Sequence, residues 1–163
     1  MDEIAGRAVA ARRKAEALDA EFLVRLFRES HQSLMAALGA AAEPLIEMQY
    51  RGRAMTYAAQ FPAAENLILL DEDGQPVGRL LLDRQPSRWR IVDVAVLAAQ
   101  RGRGLGTFVL SECQRQAQAV GARLELRVEQ HNPARRLYER LGFKVAGQDA
   151  VAIEMVWSAT DQA

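Results

Sequence analysis

The chain has 163 residues, half of them apolar and 26% charged. That is the length and make-up of one globular domain with a real core, not of a disordered chain. Its 21 basic residues equal its 21 acidic ones, so the positive excess that a nucleic-acid partner demands is missing. No apolar run approaches the roughly 18 residues of a membrane span, and Met1 to Ala20 mixes charges without an apolar signal core. No nucleic acid, no membrane and a cytoplasmic location are the expectations. Cys113 is the single cysteine, which excludes an intrachain disulfide and a cysteine zinc cluster. His31 and His131, the two histidines, do not build a metal site between them, and none is expected. Lys14 and Lys144 are the only lysines; the remaining bases are Arg, whose planar fork suits phosphate.

In chain order, residues 1–18 read either as helix or, from Ala8 to Arg13, as an edge strand. Asp19 to Leu38 reads as one helix or two, with Asp19 as N-cap and Leu18, Phe22, Leu26 and Phe27 at helical spacing. Glu43 to Phe61 is a second helix, with Pro44 in its first turn and Pro62 past its end. Its predicted inner face holds Leu45, Met48, Tyr50, Met55 and Tyr57. The period then changes. Asn66–Leu70 and Pro76–Leu82, joined by Asp71-Glu-Asp-Gly74, predict an antiparallel hairpin. Trp89 to Leu97 is a third strand. Another helix comes next, with Leu105, Val109, Cys113, Ala117 and Val120 on one face and Gly121 ending it. Cys113 on that face reads as core. Arg123 to Glu129 alternates as a strand, Asn132-Pro133 opens a short helix closed by Gly142, and Phe143–Ala146 and Val151–Trp157 are final strands. The order predicts a mixed α/β (α+β) domain with one parallel crossover between Trp89 and Glu129.

Between the third strand and its helix lies Gln100-Arg-Gly-Arg-Gly-Leu-Gly106. Glycines allow tight turns and close approach of a ligand. The first amides of the adjoining helix have no internal partners, so an anion gains both hydrogen bonds and a favourable dipole there. Arg101 and Arg103 add charge. The loop is thus a candidate phosphate or pyrophosphate site. A Walker loop is excluded because no Gly-Lys-Ser/Thr is present. A dinucleotide loop wants Gly-x-Gly-x-x-Gly; here Gly102, Gly104 and Gly106 miss that spacing by one, although Glu125 stands about 20 residues on, where an acidic residue would be wanted.

Arg101-x-x-Gly104-x-Gly106 after a Val-rich strand resembles the acetyl-CoA-binding motif of the GCN5-related N-acetyltransferases (GNAT). Ile91 to Leu97 resembles that family's splayed fourth strand. Val128 to Phe143, with Asn132, the Leu137-Tyr138 pair and Gly142-Phe143, resembles its second signature. The resemblance covers Asn66 to Trp157. It implies a mixed, mostly antiparallel sheet of six or seven strands with helices on both faces. It further implies a single domain over 1–163, with 1–62 a helical acceptor-side region and 63–157 an acetyl-CoA-binding core.

The implied activity moves an acetyl group from acetyl-CoA to an amine by direct attack in a ternary complex. Carried over by residue, the backbone of Arg101, Gly102, Arg103, Gly104, Leu105, Gly106 and Thr107 holds the pyrophosphate. Val94 and Val96 offer backbone groups to the pantetheine arm. Asn132 binds that arm, and before Pro133 it is equally a helix N-cap. Tyr138 matches the general acid that protonates the departing thiolate. The base is less defined: the position where many members carry Glu is Arg90, and Asp93 is the nearest carboxylate on the strand, with Glu129, Glu47 and His131 as further candidates. Residues 31–57 are implied to build the acceptor pocket, with Gln49, Tyr50, Arg53 and Tyr57 giving it polar and aromatic character. Homodimers are common in the family, and the final strands of this chain offer edges for such pairing. Two other classes stay in view: a non-catalytic acyl-CoA sensor and, more remotely, a nicotinamide-dinucleotide binder.

Overall fold

The computed structural model describes residues 11–162. Its centre is a seven-stranded sheet in the order β1-β2-β3-β4-β5-β7-β6. The strands are β1 (Ala11–Lys14), β2 (Glu65–Leu70), β3 (Pro76–Arg84), β4 (Arg88–Val96), β5 (Arg123–Glu129), β6 (Lys144–Gln148) and β7 (Ala152–Trp157). Every neighbouring pair is antiparallel except β4–β5, which is parallel. The helices are α1 (Ala20–Ser30), α2 (Gln32–Leu38), α3 (Ala42–Gln60), α4 (Leu105–Ala119) and α5 (Ala134–Arg140). Mixed topology, hairpin, crossover and strand number match the sequence reading.

The edge-strand alternative is the one realised for Ala11–Lys14, which pairs with β2; Ala8, Val9 and Ala10 lie outside the described residues. The Asp19 to Leu38 stretch is two helices, broken at His31.

β3 is buried on both faces. One face packs on α4: Leu80, Leu82, Leu124, Leu126 and Met155 meet Val109, Leu110 and Cys113, all at most 4% exposed. In such a core one Leu→Ala truncation costs about 2–5 kcal/mol. α1 covers β3 and β4 from the other side and packs on α3, burying Leu23, Leu26 and Phe27 of α1 and Ile46 of α3.

Several local expectations are corrected. Asp19 does not cap α1 with its side chain. Its carboxylate instead accepts from the Arg13 guanidinium at 2.8 and 2.9 Å and from the Glu16 N–H at 2.7 Å, pinning β1 to the turn before α1. Those bonds, the Arg13 one foremost, hold its pKa down at about 2. Leu18 is 91% exposed because it sits in that turn, ahead of the amphipathic face. On α3, Met48 and Met55 face outward and Ala42 and Ile46 face the core. Val120 comes after the last residue of α4 and is exposed.

One irregularity decides which face the β4 side chains take. The β3–β4 register slips by a residue: Leu82 faces Ile91, but Leu81 faces Asp93, leaving Val92 as a bulge. Side chains alternate faces along a strand, so an extra residue reverses the phase beyond it. Ile91 and Val94 both meet the α4-side core. Asp93 is turned to the other face, with Arg79 and Arg90.

Candidate active site

β4 and β5 stay paired only from Arg88↔Arg123 to Ile91↔Leu126. Each strand continues, β4 to Val96 beside β3 and β5 to Glu129 beside β7. Beyond Ile91 the edge of β4 that faces β5 therefore has no strand partner, and its polar backbone groups call for solvent or ligand.

α4 begins at the mouth of this gap. Its N-cap is Gly104, at φ 78, a left-handed conformation that glycine adopts without strain. No side chain caps the helix. The Phe108 N–H donates to the Gly104 carbonyl at 2.9 Å. The N–H groups of Leu105, Gly106 and Thr107 thus have no intrahelical acceptors, at the positive end of a 15-residue helix. Gly106 lies close to α5: a Cβ there would stand 3.3 Å from Leu137 Cδ2.

A cleft of about 1200 Å³ joins the α4 N-terminus and the open β4 edge to α5 on one side and to α1 and α3 on the other. Of the residues nominated from the sequence for donor binding or catalysis, all but Arg103 and Glu47 line it. Arg103 is exposed in the loop. The Arg101 side chain folds back onto protein, donating to the carbonyls of Val96 (3.4 Å) and Glu29 (3.3 Å). Asn132 accepts the Ala134 N–H on Oδ1 at 2.9 Å and so caps the start of α5; its Nδ2 donates to no protein group among the described residues.

Tyr138 projects from α5, 9% exposed, edge-on to Phe143 with 5.9 Å between ring centres. Burial first, then the negative charge of Asp93, pushes its pKa up to about 12. Asp93 is paired with Arg79 of β3, its diagonal cross-strand neighbour. Tyr57 also feels Asp93. Burial raises its pKa most, Asp93 and Glu129 add to the rise, and Arg53 and Arg79 oppose it. Asp93 is thus within electrostatic reach of both Tyr138 and Tyr57.

Glu129 and His131 also line the cleft. Glu47 does not: it faces a separate shallow groove with Met48 and Met55 and pairs with Arg51 at 2.7 Å. Gln49 is exposed outside the cleft, while Tyr50, Arg53 and Tyr57 all reach it. Arg90 is held by Glu154 at 3.3 Å and lies 5.7 Å from the centre of the Phe61 ring. Arg79 was not nominated from the sequence. Its signal was a lone charge inside the apolar run Val77-Gly-Arg-Leu-Leu-Leu82, which a folded sheet tolerates only with a partner.

The sheet thus splays at its one parallel pair, in front of a glycine-capped helix, which is the architecture of an N-acetyltransferase-type α/β domain. The chain belongs to the acetyltransferase (GNAT) family, whose family model matches residues 22–143. Solved structures share the fold. The PaiA N-acetyltransferase of Thermoplasma acidophilum, crystallised in complex with coenzyme A, aligns with a TM-score of 0.69 at 20% identity, covering 91% of this chain and 98% of that one. A GCN5-related N-acetyltransferase from Rhodopseudomonas palustris aligns at 0.66 and 21% identity, covering 93% and 97%. Ard1 from Thermoplasma volcanium aligns at 0.62 and 16% identity, covering 91% and 96%. No curated protein matches the sequence. Among the described residues no helix is long and apolar enough to cross a membrane.

Proposed function

We propose that this acetyltransferase moves the acetyl group of acetyl-CoA directly onto an amine held in the same cleft. One observation carries the reading: an uncapped helix N-terminus and an unpaired strand edge open into a cleft that also holds a buried phenol and a carboxylate. The amides from Arg101 through Gly104 and Leu105 to Thr107 take the pyrophosphate, with Arg101 and Arg103 adding positive charge beside it. The open edge of β4 at Val94 and Val96 takes the pantetheine arm, assisted by the Asn132 amide. The thioester then lies between Asp93 and Tyr138.

The chemistry assigns each group a proton. An ammonium must lose a proton before attack; Asp93 receives it, through water, and Arg79 holds the carboxylate in place. The amine nitrogen forms a bond to the thioester carbon, and the carbon–sulfur bond breaks. As the carbon–sulfur bond breaks, the nitrogen gives up its second proton; the departing thiolate takes the Tyr138 proton, the phenolate is refilled through water by that second proton, and the first leaves Asp93 for solvent. The phenol, held protonated by burial, is a donor throughout the working pH range, and the same dry site raises the thiolate's demand for a proton. A cytoplasmic location, where acetyl-CoA is made and used, goes with this reading. So does pairing of two copies through β6, the sheet edge exposed along its length.

The Arg79–Asp93 pair also supports a second reading. A carboxylate already engaged is less free to take a proton, which suits a domain that binds acyl-CoA without turnover. A thiol-release assay over a broad amine panel, with products identified by mass spectrometry, separates the two. Acetyl transfer predicts amine-dependent CoA release and an N-acetyl product. Tight CoA binding with no product above the uncatalysed rate overturns catalysis and leaves the binding module.

A further inference from the structure

The acceptor side of the cleft carries one arginine with nothing to hold. Among the described residues six arginines line the cleft. Arg79 pairs with Asp93, Arg90 with Glu154, and Arg127 with Asp149 at 2.7 Å. Arg101 is bonded to two backbone carbonyls. Arg140 is exposed in the last turn of α5, where a cation complements the helix dipole. Arg53 is half-buried, and its guanidinium has no hydrogen bond or ion pair among the described residues. It lies over the Phe27 ring, 5.2 Å from its centre. Phe27 is itself stacked on His31 at 4.0 Å and set edge-on to Tyr50 at 5.8 Å. The guanidinium therefore rests over an aromatic ring, and its N–H groups are not used by protein among the described residues.

Its neighbours point to what those groups are for. Tyr50, Arg53 and Tyr57 stand at i, i+3 and i+7 on α3, one stripe of the helix. The structure turns all three to the cleft and turns Met48 and Met55 away. Both phenols are raised in pKa, first of all by burial. They are neutral donors, and neither hydroxyl has a hydrogen-bond partner among the described residues. Two phenols and a guanidinium on one stripe supply hydrogen-bond donors and a fixed positive charge, and that charge attracts an anion and repels a cation. Asp93, which lies within electrostatic reach of Tyr57, supplies the opposite charge for the reacting ammonium.

We propose that the acceptor is a small amine that also bears an anionic group, a carboxylate or phosphonate, which Arg53 grips with its N–H fork. This rests on the acetyl-transfer reading for the fate of the amine, but not for the binding of the anion. Polyamines and lysine-rich protein tails are the acceptors this stripe disfavours.

The test compares L-phenylalanine with L-phenylalaninamide, in which a neutral amide replaces the carboxylate, both titrated at a pH where the amines are protonated. 2-Aminoethylphosphonate represents the phosphonate source and spermidine the polycation. Calorimetric titration into the CoA-loaded protein reads binding, and thiol release from acetyl-CoA reads transfer. The anionic amines are expected to bind about 10- to 100-fold more tightly than the amide or spermidine, the span of a charged hydrogen-bonded pair. Arg53→Gln is expected to erase that preference and Arg53→Lys to retain part of it, while the melting shift given by CoA alone persists in both. Equal binding of phenylalanine and its amide, tighter binding of spermidine, or a preference that survives Arg53→Gln overturns the proposal. Selective binding of an anionic amine without CoA release leaves the anion site standing and removes the transferase reading instead.

Discussion

Gly106→Glu is expected to abolish the stabilisation that acetyl-CoA gives the wild-type protein. Two effects act together. The position already has Leu137 Cδ2 at 3.3 Å from an added Cβ, so even Ala must push the Leu137 side chain aside by a few tenths of an ångström. Glu then places a long side chain and a negative charge among the free amides that an anion would use. Ligand at about 100 times its dissociation constant adds roughly 2.7 kcal/mol to folding stability. In a domain of this size that is a melting shift of about 5–10 °C. The Glu variant is expected to show none of it, Gly106→Ala a reduced shift, and both are expected to melt cooperatively without ligand. A full shift in Gly106→Glu would remove the pyrophosphate from the α4 N-terminus.

Tyr138→Phe is expected to lower kcat by about 100-fold or more, the range for losing a positioned proton donor, with little change in the KM for acetyl-CoA. The ring is retained, so its packing on Phe143 and the stability of α5 should change little. The pH profile adds an independent check. Burial and Asp93 raise the phenol to about 12, so its proton is present at every pH below that value. The wild-type kcat should therefore show no alkaline loss attributable to Tyr138 between pH 8 and 10, a window of about two units below its pKa. An unchanged kcat in the Phe variant would transfer the acid role to water or another group.

The range of each interaction decides what is legible in the sequence. The glycine loop, the Asp71–Gly74 hairpin turn, β5 from Arg123 to Glu129 and the helix stops at Gly121 and Gly142 rest on local chemistry. Turn residues and period alone place them. So does the order of the two motifs, which is why the family was legible. The side of α3 that faces inward was not. Met48 and Met55 are as apolar as Ile46, and a helix with apolar residues on both sides does not declare its buried face. Asp93 was nominated as the nearest carboxylate on β4, but its orientation depends on the bulge at Val92, a register effect between two strands. Arg79 as its partner depends on the same register. Arg53 could be placed in the pocket region from sequence, but that its half-buried guanidinium has no acceptor among the described residues appears only once the other arginines of the cleft are traced, four to a partner and Arg140 to an exposed helix end.

Acyl-CoA is proposed to bind in the splay between β4 and β5, where the N-terminus of α4 closes it. A thermal melt of the wild-type protein with acetyl-CoA, CoA and NADH in parallel, each at millimolar concentration, tests it most directly. The expected result is a shift of about 5–10 °C with acetyl-CoA and with CoA, and none with NADH. No shift with either CoA species, or an equal shift with NADH, would contradict the claim, and the roles assigned to Gly106, Asn132, Asp93 and Tyr138 would have to be withdrawn.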